Sequence, residues 1–240
     1  IVMASGVAPS SGSRTGGYEV VITGSNLGDG SDITSVTLCG VSVDSMVSQS
    51  ATQVVVVAGA GGPGLGDIRV FSTSYGETVK SNAFEYLKAD QTITFSAISG
   101  QLMTDTVGLS ATASSGLPVT FATNGGPAVI AGGTNLSFTG VGLVSIVASQ
   151  AGDADWNAAP GVTNLIHVYA LSANRGPYAG GNTITITNGN FGTITNVLVG
   201  GVPATITASG ADWVTITVPA VGSAGAQDIV IQTSDHGDIT

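Results

Sequence analysis

The strongest constraint in this 240-residue chain is a two-residue alternation of apolar and polar side chains, held in short runs and closed off by Gly, Asn, Asp or Pro. Tyr18-Glu-Val-Val-Ile-Thr23, Gln91-Thr-Ile-Thr-Phe95 and Thr183-Ile-Thr-Ile-Thr187 show it plainly. Successive side chains of a strand point to opposite faces, so such runs read as half-buried strands. A helix would place apolar residues at i, i+3, i+4 and i+7, and no stripe of useful length does so. Turn clusters follow at the roughly 8–12 residue spacing of packed sheets. The prediction is an all-β chain of sandwiches. Its outer faces must be covered by hydroxyls and backbone, because only 8% of residues are charged against about 25% in an ordinary domain.

That composition excludes several functions. Five Lys and Arg against fifteen Asp and Glu give a net charge of −10, which cannot neutralise phosphates, so nucleic acid is excluded as a partner. An apolar content of 42% supplies ample surface to bury and argues against disorder. Mean hydropathy is +0.41, yet polar residues interrupt every apolar run before the ~18 residues of a membrane helix, so no membrane segment is expected. Cys39 is the single cysteine, which rules out an intrachain disulfide and a Cys-based zinc site. The chain opens on Ile1 with no basic and apolar leader, so it reads as a mature form or an excerpt.

An internal repeat organises the rest. Gly16-Gly-Tyr-Glu-Val-Val-Ile-Thr-Gly-Ser-Asn-Leu-Gly28 lies over Gly180-Gly-Asn-Thr-Ile-Thr-Ile-Thr-Asn-Gly-Asn-Phe-Gly192 at an offset of 164. Ile33-Thr-Ser-Val-Thr-Leu-Cys-Gly40 lies over Ile194-Thr-Asn-Val-Leu-Val-Gly-Gly201 at 161, which marks an insertion around Asp29-Gly-Ser31. From there the register is expected to run without a gap, placing Asp67 over Asp228, Ala58 over Pro219 and Thr52 over Trp213.

The repeated residues carry a resemblance. Gly-Gly, an alternating strand ending in Thr-Gly-Ser-Asn-Leu-Gly28, and a strand ending in Pro, as in Val214-Thr-Ile-Thr-Val-Pro219, resemble the IPT/TIG family of immunoglobulin-like domains. The closing strand of that family is seen in Ser81-Asn-Ala-Phe-Glu-Tyr86. The segment between is similar to bacterial immunoglobulin-like repeats, through Ala113-Ser-Ser-Gly-Leu-Pro-Val-Thr-Phe121, Leu136-Ser-Phe-Thr-Gly140 and Trp156-Asn-Ala-Ala-Pro160. The resemblance implies three tandem immunoglobulin-like β-sandwiches, over 1–88, 89–170 and 171–240, joined by short linkers near Leu87–Asp90 and Tyr169–Ser172. It further implies a non-enzymatic structural or adhesive segment of an exported bacterial surface or filament protein, extracellular or at the cell surface. Its partners would be other domains or copies of the same protein. The alternative is an accessory carbohydrate-binding module taking polysaccharide.

The last sandwich lacks a strand. The first copy continues past Gly76-Glu-Thr-Val79 into Phe84-Glu-Tyr86, whereas Thr240 matches Val79. The expectation is an unpaired edge beside an apolar groove, left open where the sequence simply stops or filled by a strand from the next chain in self-association.

Candidate chemistry is sparse. His167 lies in an alternating strand and His236 in a turn, with no nucleophile elbow to accompany them. The acids are mostly turn Asp rather than a pair of the glycosidase kind. Hard cations want clustered oxygens from loops, so Asp29, Asp32, Asp153 and Asp155 are the calcium candidates, with Asp235 and Asp238 behind them. No other cofactor is implied. Asp67 and Asp228 read as caps of a shared turn. Trp213 is the candidate sugar-stacking ring or a domain contact, Trp156 is expected to plug the middle sandwich, and Tyr18 and Tyr178 to sit at junctions. Asn124-Gly125 reads as a type I′ hairpin turn. Cys39 reads as an ordinary thiol, Asn135-Leu-Ser137 as a glycosylation sequence, and Lys80 and Lys88 as junctional.

Overall fold

A computed structural model describes residues 3–188, 191–235 and 237–239, and every regular element among them is a strand. The chain divides into two compact units. One holds the chain through Gln91 together with Ala151–Ala158; the other holds Thr92–Gln150 and the chain from Ala159 onward.

The first unit is a sandwich of two sheets. One orders its strands Met3–Ala8, Glu19–Ser25, Gln53–Val57 and Ser45–Gln49; the other runs Ser11–Ser13, Gly76–Leu87, Gly64–Ser72, Ile33–Leu38 and Val41–Ser42. Alternation decides which side chains meet between the sheets: Val20, Ile22, Val54 and Val56 from one face, Val36, Leu38, Ile68 and Val70 from the other. Phe84 and Tyr86 close the core edge-to-face, with ring centroids 5.2 Å apart. Trp156 belongs to this unit rather than plugging the middle sandwich. It bridges Ala89, and the Arg14 guanidinium lies 6.0 Å from its ring.

The second unit contains two cores joined by one strand. Leu136, Phe138, Val144, Ile146, Ile166 and Val168 fill the middle core. Ile184, Ile186, Phe191, Val197, Val214, Ile216 and Ile231 fill the third. The strand Val162–Leu171 pairs with Gly142–Ser149 from Val162 to Val168, then with Thr183–Thr187 through Ala170 and Leu171. The result is a continuous seven-stranded sheet that serves both sandwiches. Alternation along this strand breaks once, at Val168 and Tyr169, which are both buried. That is where the strand leaves one core and enters the next. The expected linker at Tyr169–Ser172 is therefore mostly strand.

Two further expectations are corrected. The repeat register shifts by one residue after Asp44. Thr23 pairs with Gln53 as Thr187 pairs with Trp213, and Gly17 N–H donates to Ala58 O as Gly181 N–H donates to Val218 O. The counterpart of Trp213 is thus Gln53, and that of Pro219 is Gly59. The register returns to 161 at Asp67 and Asp228, whose carbonyls accept from Cys39 and Gly200 N–H respectively. Asn124-Gly125 is no hairpin turn. Thr120–Gly125 pairs with Gly142–Ser149 and Ala128–Ala131 with Asn135–Phe138, so the chain changes sheets there. The ladder skips Asn124 as a bulge, and Gly125 and Gly126 supply positive φ. Tight two-residue turns lie instead at Cys39-Gly40, between Leu38 and Val41, and at Gly200-Gly201, between Val199 and Val202, with positive φ at all four residues.

Candidate functional site

The calcium candidates come together in pairs, and each pair spends oxygens on its own loop. Asp32 accepts from Asp29 N–H at 2.7 Å, Ser74 N–H at 2.6 Å and Thr73 Oγ1 at 3.1 Å. These bonds, that from Ser74 foremost, hold its carboxyl well below the usual carboxylate range. Asp29 accepts from Ser31 N–H at 2.9 Å. The second copy makes the same loop tie with donor and acceptor exchanged: Thr193 N–H, at the position of Asp32, donates at 2.6 Å to Asp235, at the position of Ser74. Asp32 therefore acts as a clasp between two loops.

Asp153 accepts from Asp155 N–H at 2.8 Å and Trp156 N–H at 2.9 Å, while Asp155 pairs with Arg14 at 3.3 Å. Lys88 Nζ donates to Asp153 O at 2.6 Å. Among the described residues no group of three or more His, Cys, Asp or Glu is arranged to hold a metal ion. Asp67 binds Asn82 N–H at 3.1 Å and Arg69 at 3.3 Å.

His167 is half-buried in the shared strand, with Nδ1 3.3 Å from Asn188 Nδ2 and its ring stacked on Tyr169. Burial pushes the Tyr169 phenol up to about 12. His236 lies outside the described residues. Trp213 is 37% exposed, and its indole lies over Gly210, where an added Cβ would sit 2.5 Å from Nε1. Tyr178 is exposed at the other end of the same strands, beside Gly180 and Val221, so the two rings form no common platform. Cys39 Sγ donates to Phe84 O at 3.1 Å, and burial pushes its thiol up. Asn135 is exposed within a strand, and Lys80 lies in the Gly76–Leu87 strand rather than at a junction.

An opening lies at the third sandwich. In the first copy, Ser81–Leu87 runs between two rims, parallel to Ser11–Ser13 and antiparallel to Gly64–Gly66. Both rims recur in the second copy. Val221 N–H donates to Tyr178 O as Gly61 N–H donates to Arg14 O, which places 174–178 over 10–14. Gly225 has φ +141 where Gly64 has +143. Between these rims lies a slot of about 770 Å³ floored by Ile184, Val199, Val218, Val221 and Ile229. Ile68 is 1% exposed; its counterpart Ile229 is only half-buried. The floor was hidden from the sequence, because the one-residue shift obscures which residues of the two copies correspond.

Two stacked β-sheets per core, strands crossing between them and a glycine-led entry to each repeated domain define immunoglobulin-like sandwiches. The IPT/TIG domain model matches residues 4–86 and 167–240, and the chain belongs to that family. No curated protein matches it. Solved structures similar to it include an auxiliary nutrient binding protein from Bacteroides thetaiotaomicron (15% identity, TM-score 0.31, 81% of this chain and 44% of that one). Another is an auxiliary nutrient binding protein from Bacteroides ovatus (12%, 0.31, 94% and 60%). A third is the extracellular region of plexin A4 (14%, 0.28, 100% and 17%). The chain thus spans less than two thirds of each, and the scores are too low for any of them to inform what it does.

Proposed function

We propose that the chain is a non-enzymatic structural and adhesive segment of an exported bacterial surface protein, extracellular or at the cell surface, with other domains of the same protein as its partners. The observation that carries this reading is the strand Val162–Leu171, which enters two cores and belongs to one continuous sheet. A hinge at that point would need a solvated, unpaired backbone; Ala170 and Leu171 are paired instead. Load on the third sandwich therefore passes directly into the hydrogen-bond ladder of the middle one. Loops at the sandwich ends supply the contact surface.

Pulling single molecules by their ends tests it. The middle and third sandwiches are expected to unfold in one event, and Ala170→Pro, which removes a ladder donor, splits that event in two. Separate events in the unaltered chain contradict the reading.

Trp213 supports a second reading, as an accessory module for polysaccharide, because more than a third of its surface remains open to stack on a sugar face. Quenching of indole fluorescence by soluble glucans, abolished in Trp213→Ala, is the expected result. Unchanged fluorescence across a glycan panel eliminates this reading.

A further inference from the structure

We propose that Asn124 is a self-modification site, at which the folded chain converts its own asparagine to aspartate and isoaspartate with water as the only co-reactant. The sequence holds two Asn-Gly dipeptides in the same local setting, Thr123-Asn-Gly125 and Thr187-Asn-Gly189. Glycine matters because it carries no Cβ to hinder its nitrogen from approaching the preceding side-chain amide. In the first step the Gly125 nitrogen bonds to Asn124 Cγ. The Cγ–Nδ2 bond breaks, and Nδ2 leaves as ammonia with the proton of the Gly125 amide. A five-membered cyclic imide remains. Water then adds at Cγ to give aspartate, or at the Asn124 backbone carbonyl carbon to give isoaspartate, whose main chain is longer by a methylene. Nothing is oxidised or reduced; amide and water become acid and ammonia.

The fold opens one of these dipeptides and closes the other. Ring closure turns the Asn124 backbone, so the residue must move without opening the sheet. In the ladder of Thr120–Gly125 with Gly142–Ser149, Thr123 stands opposite Ile146 and Gly125 opposite Ser145, and Asn124 has no residue opposite it. A bulged residue of this kind is the link that the ladder holds least. Asn124 is exposed. A Cβ added to Gly125 would meet nothing within 4 Å, so no neighbouring element crowds the imide as it closes. Asn188, by contrast, is 0% exposed. Its N–H donates to Asp212 O at 3.1 Å, and its Nδ2 lies 3.3 Å from His167 Nδ1, so main chain and side chain are both held. The product suits the bulge as well, because the extra methylene of isoaspartate enters the ladder where it already carries a surplus residue.

Peptide mapping of the full chain after storage in warm, mildly alkaline buffer provides the test. Both dipeptides are followed by the mass of amide-to-acid conversion and by the separate elution of the isoaspartyl peptide. In the folded chain, conversion at Asn124 is expected to run at least about ten-fold faster than at Asn188, the ratio set by a shallow local opening against a deeper one. In guanidinium chloride, where neither is sheltered, the two rates should agree within about two-fold. Asn124→Gln, whose side chain would have to close a larger ring, abolishes the isoaspartyl product of that peptide. Three results each overturn the proposal: no conversion at Asn124 in the folded chain, equal rates at Asn124 and Asn188 in the folded chain, or conversion at Asn124 that yields aspartate with no isoaspartate. Equal rates in the folded chain identify a reaction that passes through global unfolding, and the absence of isoaspartate identifies direct hydrolysis without the imide. The comparison of the two dipeptides is made within the unaltered chain, so the outcome does not depend on any variant folding.

Discussion

At the scale of single residues, Asp32 shows what local patterning conceals. The sequence marks it as one of a pair of loop acids, which is the signature of a cation ligand and of a loop clasp alike. Its partners at Thr73 and Ser74 lie 41 and 42 positions away, and nothing in the pattern connects them. Core residues were legible by contrast where the run alternates, as Ile184 and Ile186 do in Thr183-Ile-Thr-Ile-Thr187. The depressed Asp32 pKa has a defined consequence. Its stabilising contribution is fully present above the unfolded value, 3.8, and is lost as pH falls through the lower folded value. Melting temperatures of the wild type and Asp32→Asn should differ by a constant amount from about pH 7 to about pH 5 and converge below the unfolded value. A gap that persists unchanged to about pH 2 contradicts the clasp.

At the scale of elements, strands were read well and their connections were not. Alternation identifies a strand without naming its neighbour, and Asn-Gly is a hairpin signal only when the flanking runs pair with each other. Here Thr120–Gly125 and Ala128–Ala131 join different sheets, so the same dipeptide serves a sheet switch. Gly126 bears that switch: its φ is +88, and an added Cβ would meet the backbone of Leu143 and Val144. Gly133 has a similar φ, +82, with open space around it. Gly133→Ala should cost about 1 kcal/mol, the conformational term alone. Gly126→Ala adds a backbone collision and should cost several-fold more, measured as denaturant midpoints at constant m-value. Equal costs would mean that the switch is not held by this close approach. The candidate slot follows the same logic. The correspondence of Val221 to Gly61 depends on a one-residue shift that only strand pairing reveals.

At the scale of the molecule, the repeat correctly announced three sandwiches, while the expected linker at Tyr169–Ser172 proved to be a weld between two of them. The reason is that Tyr169-Ala-Leu171 carries no break signal. It contains neither Gly nor Pro, and Val168 and Tyr169 are both apolar because they serve different cores. Domain counting by repeat length places boundaries where the pattern restarts, and a strand that serves two patterns has no such place. Two cores sharing a ladder should open together, because separating them exposes paired backbone as well as apolar surface. Native-state hydrogen exchange measures this most directly. One common opening free energy is expected for the amides of Ile146 and Ile166 in the middle core and of Ile184 and Ile216 in the third. Two distinct opening energies, with the third sandwich exchanging while the middle one stays protected, would contradict it.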